Sequence, residues 1–278
     1  MLCTCNLQLA TYNYFIMIIA TYNINSVRIR QKALQSVVSK ANPDILCLQE
    51  TKVDDPLFPL EDMKKLGFEY IHFSGQKSYN GVALLSRVPL SDIKNQPIIN
   101  EDRRHISARL KNGVEIHNFY VPAGGDIPDP KVNPKFDHKL KFVDHMTDWA
   151  NAIKKDKRDI VIVGDMNIAP LEHDVWSHKQ LLTVVSHTPI ETEKFEKFRN
   201  TLGWVDTSRH FVPPTEKLYS WWSYRNHDWA KSNRGRRLDH IWITPGLKPS
   251  LKSSHILREA RDFENPSDHV PVVTELDI

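Results

Sequence analysis

The 278-residue sequence has few cysteines, namely Cys3, Cys5 and Cys47. So small and odd a number cannot form the paired disulfide framework of a small secreted protein. Cys47 also lies inside an apolar run, where a thiol behaves as a core residue. We therefore expect a protein of a reducing compartment, the cytoplasm.

Long apolar runs are also lacking. The longest one near the start, residues 15–20, is far too short to cross a bilayer, and no basic residue precedes it as a signal peptide would require. We therefore expect no membrane association and no export.

The chain lacks low-complexity tracts, linkers and repeats of solenoid length, so we expect one compact domain that acts as a monomer. The sequence ATYN occurs at residues 10–13 and again at residues 20–23, and only the second copy leads into a regular pattern. Two interpretations stay open. Translation begins at Met17, or residues 1–16 form a loosely ordered N-terminal extension before a catalytic domain at residues 17–278.

The net charge is only +3 and the sequence pI is about 8.6, which permits an anionic partner without requiring one. Basic residues are nevertheless concentrated in one short stretch that also contains Trp229. This stretch is either a solvated loop or a surface for a polyanion. Its basic members are Arg225, Lys231, Arg234, Arg236 and Arg237.

Short β-rich runs alternate with helical patterns along the chain. Strands are predicted at residues 18–23, 44–50, 82–87, 114–121, 160–165, 238–244 and 270–276. Helices are predicted at residues 27–41 and 134–154, where apolar residues recur every three or four positions. Because some strands alternate in polarity and others are wholly apolar, we predict a four-layer α/β sandwich with two central mixed β-sheets flanked by helices.

Acidic or amide residues stand at the end of strand after strand. A single such residue is more often a turn or a helix cap than a catalyst. Their recurrence predicts a rim of oxygen ligands at one edge of the sheets, where a site is expected. These residues are Asn23, Glu50, Asp165, Asn167, Asp239 and Asp268, with His269 beside the last.

Oxygen ligands of this kind suit Mg²⁺ or Mn²⁺, which bind through carboxylates and keep waters for a substrate phosphate. The 13 histidines are scattered, and His138 and His145 on the long helix do not have the four-residue spacing of a zinc site. We therefore expect a hard divalent cation and not zinc.

Motifs along the whole length from Met17 onward resemble the exonuclease III family of AP endonucleases, which shares the DNase I-like fold with inositol phosphatases. Any one motif would be a weak signal, and it is their common order that carries the resemblance. They are TYNINSVR, LQETK, GQKSYNGVALLSR, NFYVP, GDMNIAP, YSWW, RLDHIW and PSDHVPV.

The resemblance implies a magnesium site with Glu50 as the main ligand. Asp165 would orient and deprotonate the attacking water, and Asn167 would bind the phosphate or Asp165. Whether one or two metal ions act stays open. The full set of implied metal-site residues is Asn23, Glu50, Asp165, Asn167, Asp268 and His269.

The resemblance also implies that His269 donates to a phosphate oxygen and that Asp239 fixes its ring, with a turn as the alternative for the Asp-His pair. Tyr120 would donate its hydroxyl to the developing charge, unless it is a core tyrosine. Together with the basic, aromatic stretch, the resemblance gives the expected DNA-binding residues, which are Lys52, Arg104, Trp221, Trp222, Arg225, Arg234 and Arg236.

For the two adjacent tryptophans a shared core role is the alternative. Neighbouring residues of a strand point to opposite faces, so at least one must face inward, and Trp222 is the better core candidate. Trp221 would then wall a pocket for a base-free deoxyribose.

The implied activity is incision of double-stranded DNA on the 5′ side of an abasic site, with 3′→5′ exonuclease and 3′-end cleaning at the same site. Two positions depart from the family pattern: Ala123 stands where many relatives have an amide, and Ser78 where glycine is common. The alternatives are a small-molecule or lipid phosphatase of the same superfamily and a non-catalytic DNA-binding module. The intact set of carboxylates and the aromatic, basic loop favour the nuclease.

Overall fold

The structure, a computed structural model, describes residues 16–100, 102–226 and 228–278. The expected N-terminal extension, with Cys3 and Cys5, lies outside the described residues except for Ile16. That residue begins the first strand and pairs with Asp277. Cys47 is buried and free.

The described residues form fourteen strands, numbered in chain order. They are β1 (Ile16–Asn23), β2 (Ile45–Gln49), β3 (Tyr70–Ser74), β4 (Val82–Ser86), β5 (Leu90–Lys94), β6 (His105–Leu110), β7 (Glu115–Tyr120), β8 (Ile160–Asp165), β9 (Val205–Asp206), β10 (Trp221–Trp222), β11 (Gly235–Arg236), β12 (Asp239–Ile243), β13 (Leu251–Ile256) and β14 (Val272–Asp277).

Seven α-helices connect them in the same described ranges, with short 3₁₀ turns between. The helices are α1 (Gln31–Ala41), α2 (Leu60–Lys65), α3 (Pro134–Ile153), α4 (His178–Leu181), α5 (Pro189–Leu202), α6 (Thr207–Phe211) and α7 (Trp229–Ser232). The 3₁₀ turns are Asp55–Leu57, Lys154–Asp156, Glu172–Asp174, Pro245–Ser250 and Arg258–Asp262.

Two six-stranded mixed sheets form the centre of the molecule. The first has the order β13-β14-β1-β2-β4-β3 and the second the order β5-β6-β7-β8-β12-β9. Apolar side chains of both sheets, such as Ile19 and Val82 of the first and Ile116 and Val163 of the second, share one buried cluster. The sheets therefore pack face to face, as their apolar strands predict.

Helices cover the outer faces. Leu34 and Val37 of α1 pack on the first sheet, and Phe142 of α3 and Phe198 of α5 pack on the second. The predicted four-layer sandwich is therefore confirmed. In the described ranges, no helix combines the length and the apolar character needed to cross a membrane.

The first helix was predicted to begin at residue 27 and begins at Gln31. Asn25 and Ser26 adopt left-handed backbone angles, and residues 27–29 form a turn instead. The end is as predicted, because Asn42 adopts the left-handed conformation that closes a helix. Helix α3 begins as predicted, since Pro134 occupies its first position and the Asn133 side chain accepts from the Lys135 amide.

Candidate active site

Strand pairing brings the predicted site residues together. Strands β1 and β2 are parallel with Asn23 opposite Gln49, so Asn23 and Glu50 end side by side. Strands β8 and β12 are antiparallel with Asp165 directly opposite Asp239. Because the two sheets face each other, these strand ends form one rim.

Gly164 allows the catalytic end of β8 to lie close to its neighbour. Its φ is +142°, and a Cβ atom built there would lie 1.8 Å from the Phe119 carbonyl oxygen. Only glycine fits this approach. The glycine of the GDMN motif therefore fixes where the next residue, Asp165, projects.

Asp165 is buried at the centre of the rim. Its Oδ2 accepts from Asn23 Nδ2 at 2.8 Å and Asn167 Nδ2 at 3.0 Å, and its Oδ1 accepts from the Asn167 amide at 2.9 Å. Burial raises the pKa of Asp165 to about 7, although the charge of His269 opposes that shift. A carboxyl group with such a pKa can take up a proton near neutral pH.

His269 faces two carboxylates. Its Nδ1 lies 2.8 Å from Asp239 Oδ2 and its Nε2 lies 3.8 Å from Asp165 Oδ2. Burial lowers the pKa of His269, but Asp239 and Asp165 outweigh it and raise the pKa to about 10. Both ring nitrogens are therefore turned toward carboxylates, an arrangement that suits a proton donor.

Glu50 lies at the more open side of the rim, with 17% of its side chain exposed. Its Oε1 accepts from Asn23 Nδ2 at 2.9 Å and from the Tyr120 hydroxyl at 2.8 Å. Burial raises the pKa of Glu50, but Lys52 and the bond from Asn23 outweigh it and hold the pKa below its usual value. Its backbone is left-handed, with φ of 52°, a conformation rare outside glycine and found at functional sites.

A chain of polar side chains continues from Glu50 to Asp268. Lys52 Nζ lies 2.7 Å from Glu50 Oε2 and 2.6 Å from Asn25 Oδ1. Asn25 Nδ2 then donates to Asp268 Oδ1 at 3.0 Å, and Trp221 Nε1 donates to Asp268 Oδ2 at 2.9 Å. Burial raises the pKa of Asp268, but the charge of His269 and these hydrogen bonds hold it below its usual value.

The donors of this rim fit a hard divalent cation. Glu50 and Asp268 are carboxylates with lowered pKa values that offer oxygen atoms, and the Lys52 ammonium already lies between Glu50 and Asn25, so a cation is stabilised there. A deeper group, Asp165, Asp239 and His269, has ligand atoms within 4.8 Å of one another. We consider it less suited, because His269 already bonds Asp239 and faces Asp165.

Arg104, one of the expected DNA-binding residues, lies behind the rim. It is buried, its guanidinium lies 4.5 Å from the Tyr120 ring centroid, and it donates to the Tyr120 carbonyl at 3.3 Å. Its Nε also pairs with Asp102 at 3.2 Å. Arg104 therefore supports Tyr120 and offers little surface to a DNA strand.

The two tryptophans separate as the strand rule predicts. Trp221 is half-buried beside Asp268, and the Arg236 guanidinium lies 5.2 Å from its ring centroid. Trp222 is 1% exposed and packs in the core of the first sheet, so the structure places it away from any DNA surface. Arg225 and Arg234 are exposed, and Arg234 stacks on Trp176 at 4.9 Å.

Sequence reasoning missed two residues of the rim, Asn25 and Ser220. Asn25 links Lys52 to Asp268, and the Ser220 hydroxyl donates to Asp239 Oδ2 at 2.7 Å. Both lie inside motifs that had been singled out, TYNINSVR and YSWW. Their membership in those motifs was the available signal, but short polar residues beside a catalytic one are usually turn formers.

Comparisons with known proteins identify the family to which the chain belongs. Residues 20–269 match the model of the Endonuclease/Exonuclease/phosphatase family. The exodeoxyribonuclease III of Haemophilus influenzae is 32% identical over 267 residues, which cover 92% of this chain and 98% of that protein.

Two solved structures resemble this chain in both fold and sequence. An AP endonuclease from Archaeoglobus fulgidus and the 3′-5′ exonuclease NExo from Neisseria meningitidis each have a TM-score of 0.85 and 32% sequence identity. Each comparison covers 94% of this chain and all of the other. With its two sheets, its rim of carboxylates and these relatives, the chain belongs to the exonuclease III family of AP endonucleases, within the Endonuclease/Exonuclease/phosphatase family.

Proposed function

We propose that this protein hydrolyses the phosphodiester bond on the 5′ side of an abasic site in double-stranded DNA. The observation that carries the proposal is the position of Asp165, held by Asn23 and Asn167 and 3.8 Å from His269. In this arrangement a group suited to accept a proton and a group suited to donate one lie 3.8 Å apart. Such a pair suits attack of water on phosphorus.

In this reaction the oxygen of a water molecule bonds to phosphorus and the bond from phosphorus to the 3′ oxygen breaks. Asp165 accepts a proton from the water. The leaving oxygen takes up a proton from solvent and becomes a 3′-hydroxyl, Asp165 releases to solvent the proton that it accepted, and the phosphate stays on the 5′ side of the abasic sugar. A polymerase can extend the 3′-hydroxyl.

Two groups stabilise the negative charge on the phosphate oxygens. His269 is held by Asp239 with its Nε2 toward Asp165, so the imidazolium can donate to an oxygen of the attacked phosphate. Tyr120 donates to Glu50 in the free enzyme, and its hydroxyl can turn to the phosphate when substrate binds. Preorganised donors of this kind make large contributions to catalysis.

Glu50 and Asp268 would hold a magnesium ion, or manganese in its place, with Asn23 and Asn25 as neighbouring amides. When bound, the ion offsets charge on the phosphate. Lys52 would then move from its bridge between Glu50 and Asn25 toward the DNA backbone. Titration of the activity with Mg²⁺ tests whether one or two ions act.

The same site would act on 3′ ends. A Neisseria 3′ phosphatase bound to a product DNA hairpin is 32% identical and has a TM-score of 0.85 with this chain. A 3′-phosphate or a terminal nucleotide presents the same phosphorus to Asp165 and His269. We therefore propose 3′-end cleaning and 3′→5′ exonuclease activity in addition, by a monomer in the cytoplasm.

A phosphatase acting on a small molecule or a lipid headgroup would use the same catalytic groups. DNA is favoured because aromatic side chains stacked with arginine lie beside the site, at Trp221 with Arg236 and at Trp176 with Arg234. Such stacked, positively charged surfaces suit a polyanionic strand with flat bases.

The test is a labelled duplex with a central abasic analogue, incubated with Mg²⁺ or with chelator. Incision 5′ to the lesion that requires the metal supports the proposal. Hydrolysis of inositol phosphates with no DNA incision would favour the small-molecule alternative. Binding without any cleavage would favour a non-catalytic module.

A further inference from the structure

A fully buried ion pair lies directly beneath the loop that follows β8 and contains Asn167, here called the catalytic loop. Lys139 of α3 and Glu191 of α5 have no exposed surface, and their charged groups are in contact. Taking two charges out of water is costly, and well-packed apolar residues often do as well or better for stability. The hydrogen bonds around the pair indicate what else it does.

On one side the pair holds the catalytic loop. Lys139 Nζ donates to the Asn167 carbonyl at 2.8 Å and to the Ala123 carbonyl at 3.3 Å. Asn167 has a left-handed backbone, with φ of 51°, and its amide and side chain both bond Asp165. The loop at Gly124 lies against the same lysine, since a Cβ built there would be 2.9 Å from Lys139 Cδ.

On the other side the pair holds a contact to the DNA-facing surface. Both carboxylate oxygens of Glu191 accept from the Ser186 amide at 2.9 Å, and Oε2 also accepts from the Thr188 hydroxyl at 2.7 Å. Ser186 has φ of 89°, a strained conformation for a residue with a side chain. Its hydroxyl in turn accepts from Arg236 Nη1 at 2.8 Å, and Arg236 stacks on Trp221.

We propose that Lys139 and Glu191 are positioning residues, which fix the catalytic loop at Asn167 relative to the DNA-contacting pair of Arg236 and Trp221. The inference rests on the proposed function. Lys139 acts through Asn167 on the geometry of attack at Asp165, and Glu191 acts through Ser186 on the side chain that meets DNA. Displacement of a reacting group by about 1 Å can reduce the rate about 100-fold.

The experiment separates positioning from helix packing. The double variant Lys139→Met/Glu191→Gln leaves no buried charge, keeps the side-chain volumes similar and removes the donor to Asn167. We expect its thermal midpoint to lie near that of the wild type and its kcat on abasic duplex to fall about tenfold or more. The matched control, Asp144→Asn/Lys194→Met, removes the 2.7 Å ion pair that joins the same two helices at the surface, and should leave kcat unchanged.

A second variant tests the other side of the pair. Ser186→Ala removes the hydroxyl that accepts from Arg236 Nη1 and leaves the Val185 carbonyl, which accepts from the same atom. It should raise KM several-fold and leave kcat nearly unchanged, a division that a general loss of packing would not produce. It also keeps the inference testable if the double variant does not fold.

If the wild type incises abasic duplex, a stable double variant with wild-type kcat would overturn the inference. Ser186→Ala with wild-type KM would overturn it as well. A wild-type protein that does not incise abasic duplex would overturn the proposed function and this inference with it.

Discussion

Three pairs of adjacent residues each divide between the active site and the core. Trp221, Arg236 and Asp239 face the rim, and their neighbours Trp222, Arg237 and His240 are buried behind it. In two of the three pairs the residue type is the same on both sides, tryptophan in one pair and arginine in the other. What distinguishes the site from the core is therefore the set of partners that each side chain meets.

The influence of the partners is clearest for two side chains, His269 at the rim and His240 behind it, because both rings are buried. Asp239 and Asp165 raise the pKa of His269 to about 10 against the effect of burial. Burial and the charge of Arg237 lower the pKa of His240 to about 4. His240 Nδ1 accepts from Arg237 Nη1 at 3.0 Å, and its Nε2 donates to the Ile168 carbonyl at 2.9 Å. One ring is thus a charged donor and the other a neutral packing group.

The largest expected effect is on the rim side. Asp165→Asn keeps the size of the side chain and removes the proton acceptor, so kcat should fall by a factor of about 10²–10⁴ while the Kd for DNA changes little. Single-turnover incision and equilibrium binding measure the two quantities. Equal losses in both would make Asp165 a structural residue.

The next effect belongs to the core side. Arg237 is buried and pairs with Asp174 at 2.8 Å and Asp206 at 2.7 Å. Arg237→Met therefore leaves the buried Asp174 with Arg209 alone and takes one partner from the half-buried Asp206. The free energy of unfolding should fall by about 3–5 kcal/mol in urea denaturation. The kcat of the folded fraction should stay near the wild-type value, and a loss of kcat there would break the division between rim and core.

Much of this division was predictable from the sequence. The alternation rule separated Trp221 from Trp222, and the motifs identified Glu50, Asp165, Asp239 and His269. The burial of Arg104 and Arg237 was not predictable, because their partners Asp102, Asp174 and Asp206 come from other segments of the chain. Local sequence reports periodicity and residue type, whereas burial of a charge depends on carboxylates brought close by the fold.

The fold shows the same limit. The long apolar strands β1, β2 and β8 were predicted because their pattern is continuous. Edge strand β5 was missed, since its exposed, polar residues are not distinguished from a loop by hydrophobicity alone.

The pH dependence of the rate tests the raised pKa of His269. In the proposed mechanism the active form has Asp165 ionised and His269 protonated, so kcat/KM should fall about tenfold per unit below pH 7 and again above pH 10. Asp239→Asn removes the carboxylate that raises the pKa of His269, and the upper limb should move to lower pH. An upper limb that does not move would show that another group sets it.

Trp221 sharpens the comparison through selectivity. Trp221→Ala should widen the space next to Asp268, lower abasic-site incision and relax discrimination against an undamaged duplex by about fivefold or more, since aromatic stacking is worth about 1–3 kcal/mol. Trp222→Ala should instead lower the thermal midpoint. The ratio of incision on abasic and undamaged duplex is the measurement, and an unchanged ratio in Trp221→Ala would contradict the pocket.

The smallest effect concerns the arginines and the salt dependence of binding. Each phosphate contact that is lost lowers the slope of log K against log salt concentration by about 0.9. Arg234 is exposed and stacks on the Trp176 ring. Arg236 is less free to bind a phosphate, because its Nη1 already donates to the Val185 carbonyl and the Ser186 hydroxyl. The double variant Arg234→Ala/Arg236→Ala should therefore lower the slope by about one to two, with similar affinity losses on duplexes of different flanking sequence.

Arg237→Met is the matched control, because a buried guanidinium releases no counterion from DNA, and its folded fraction should keep the wild-type slope. Fluorescence anisotropy at a series of salt concentrations decides between them, and a slope lowered by Arg237→Met to the same extent would place all three arginines on one surface.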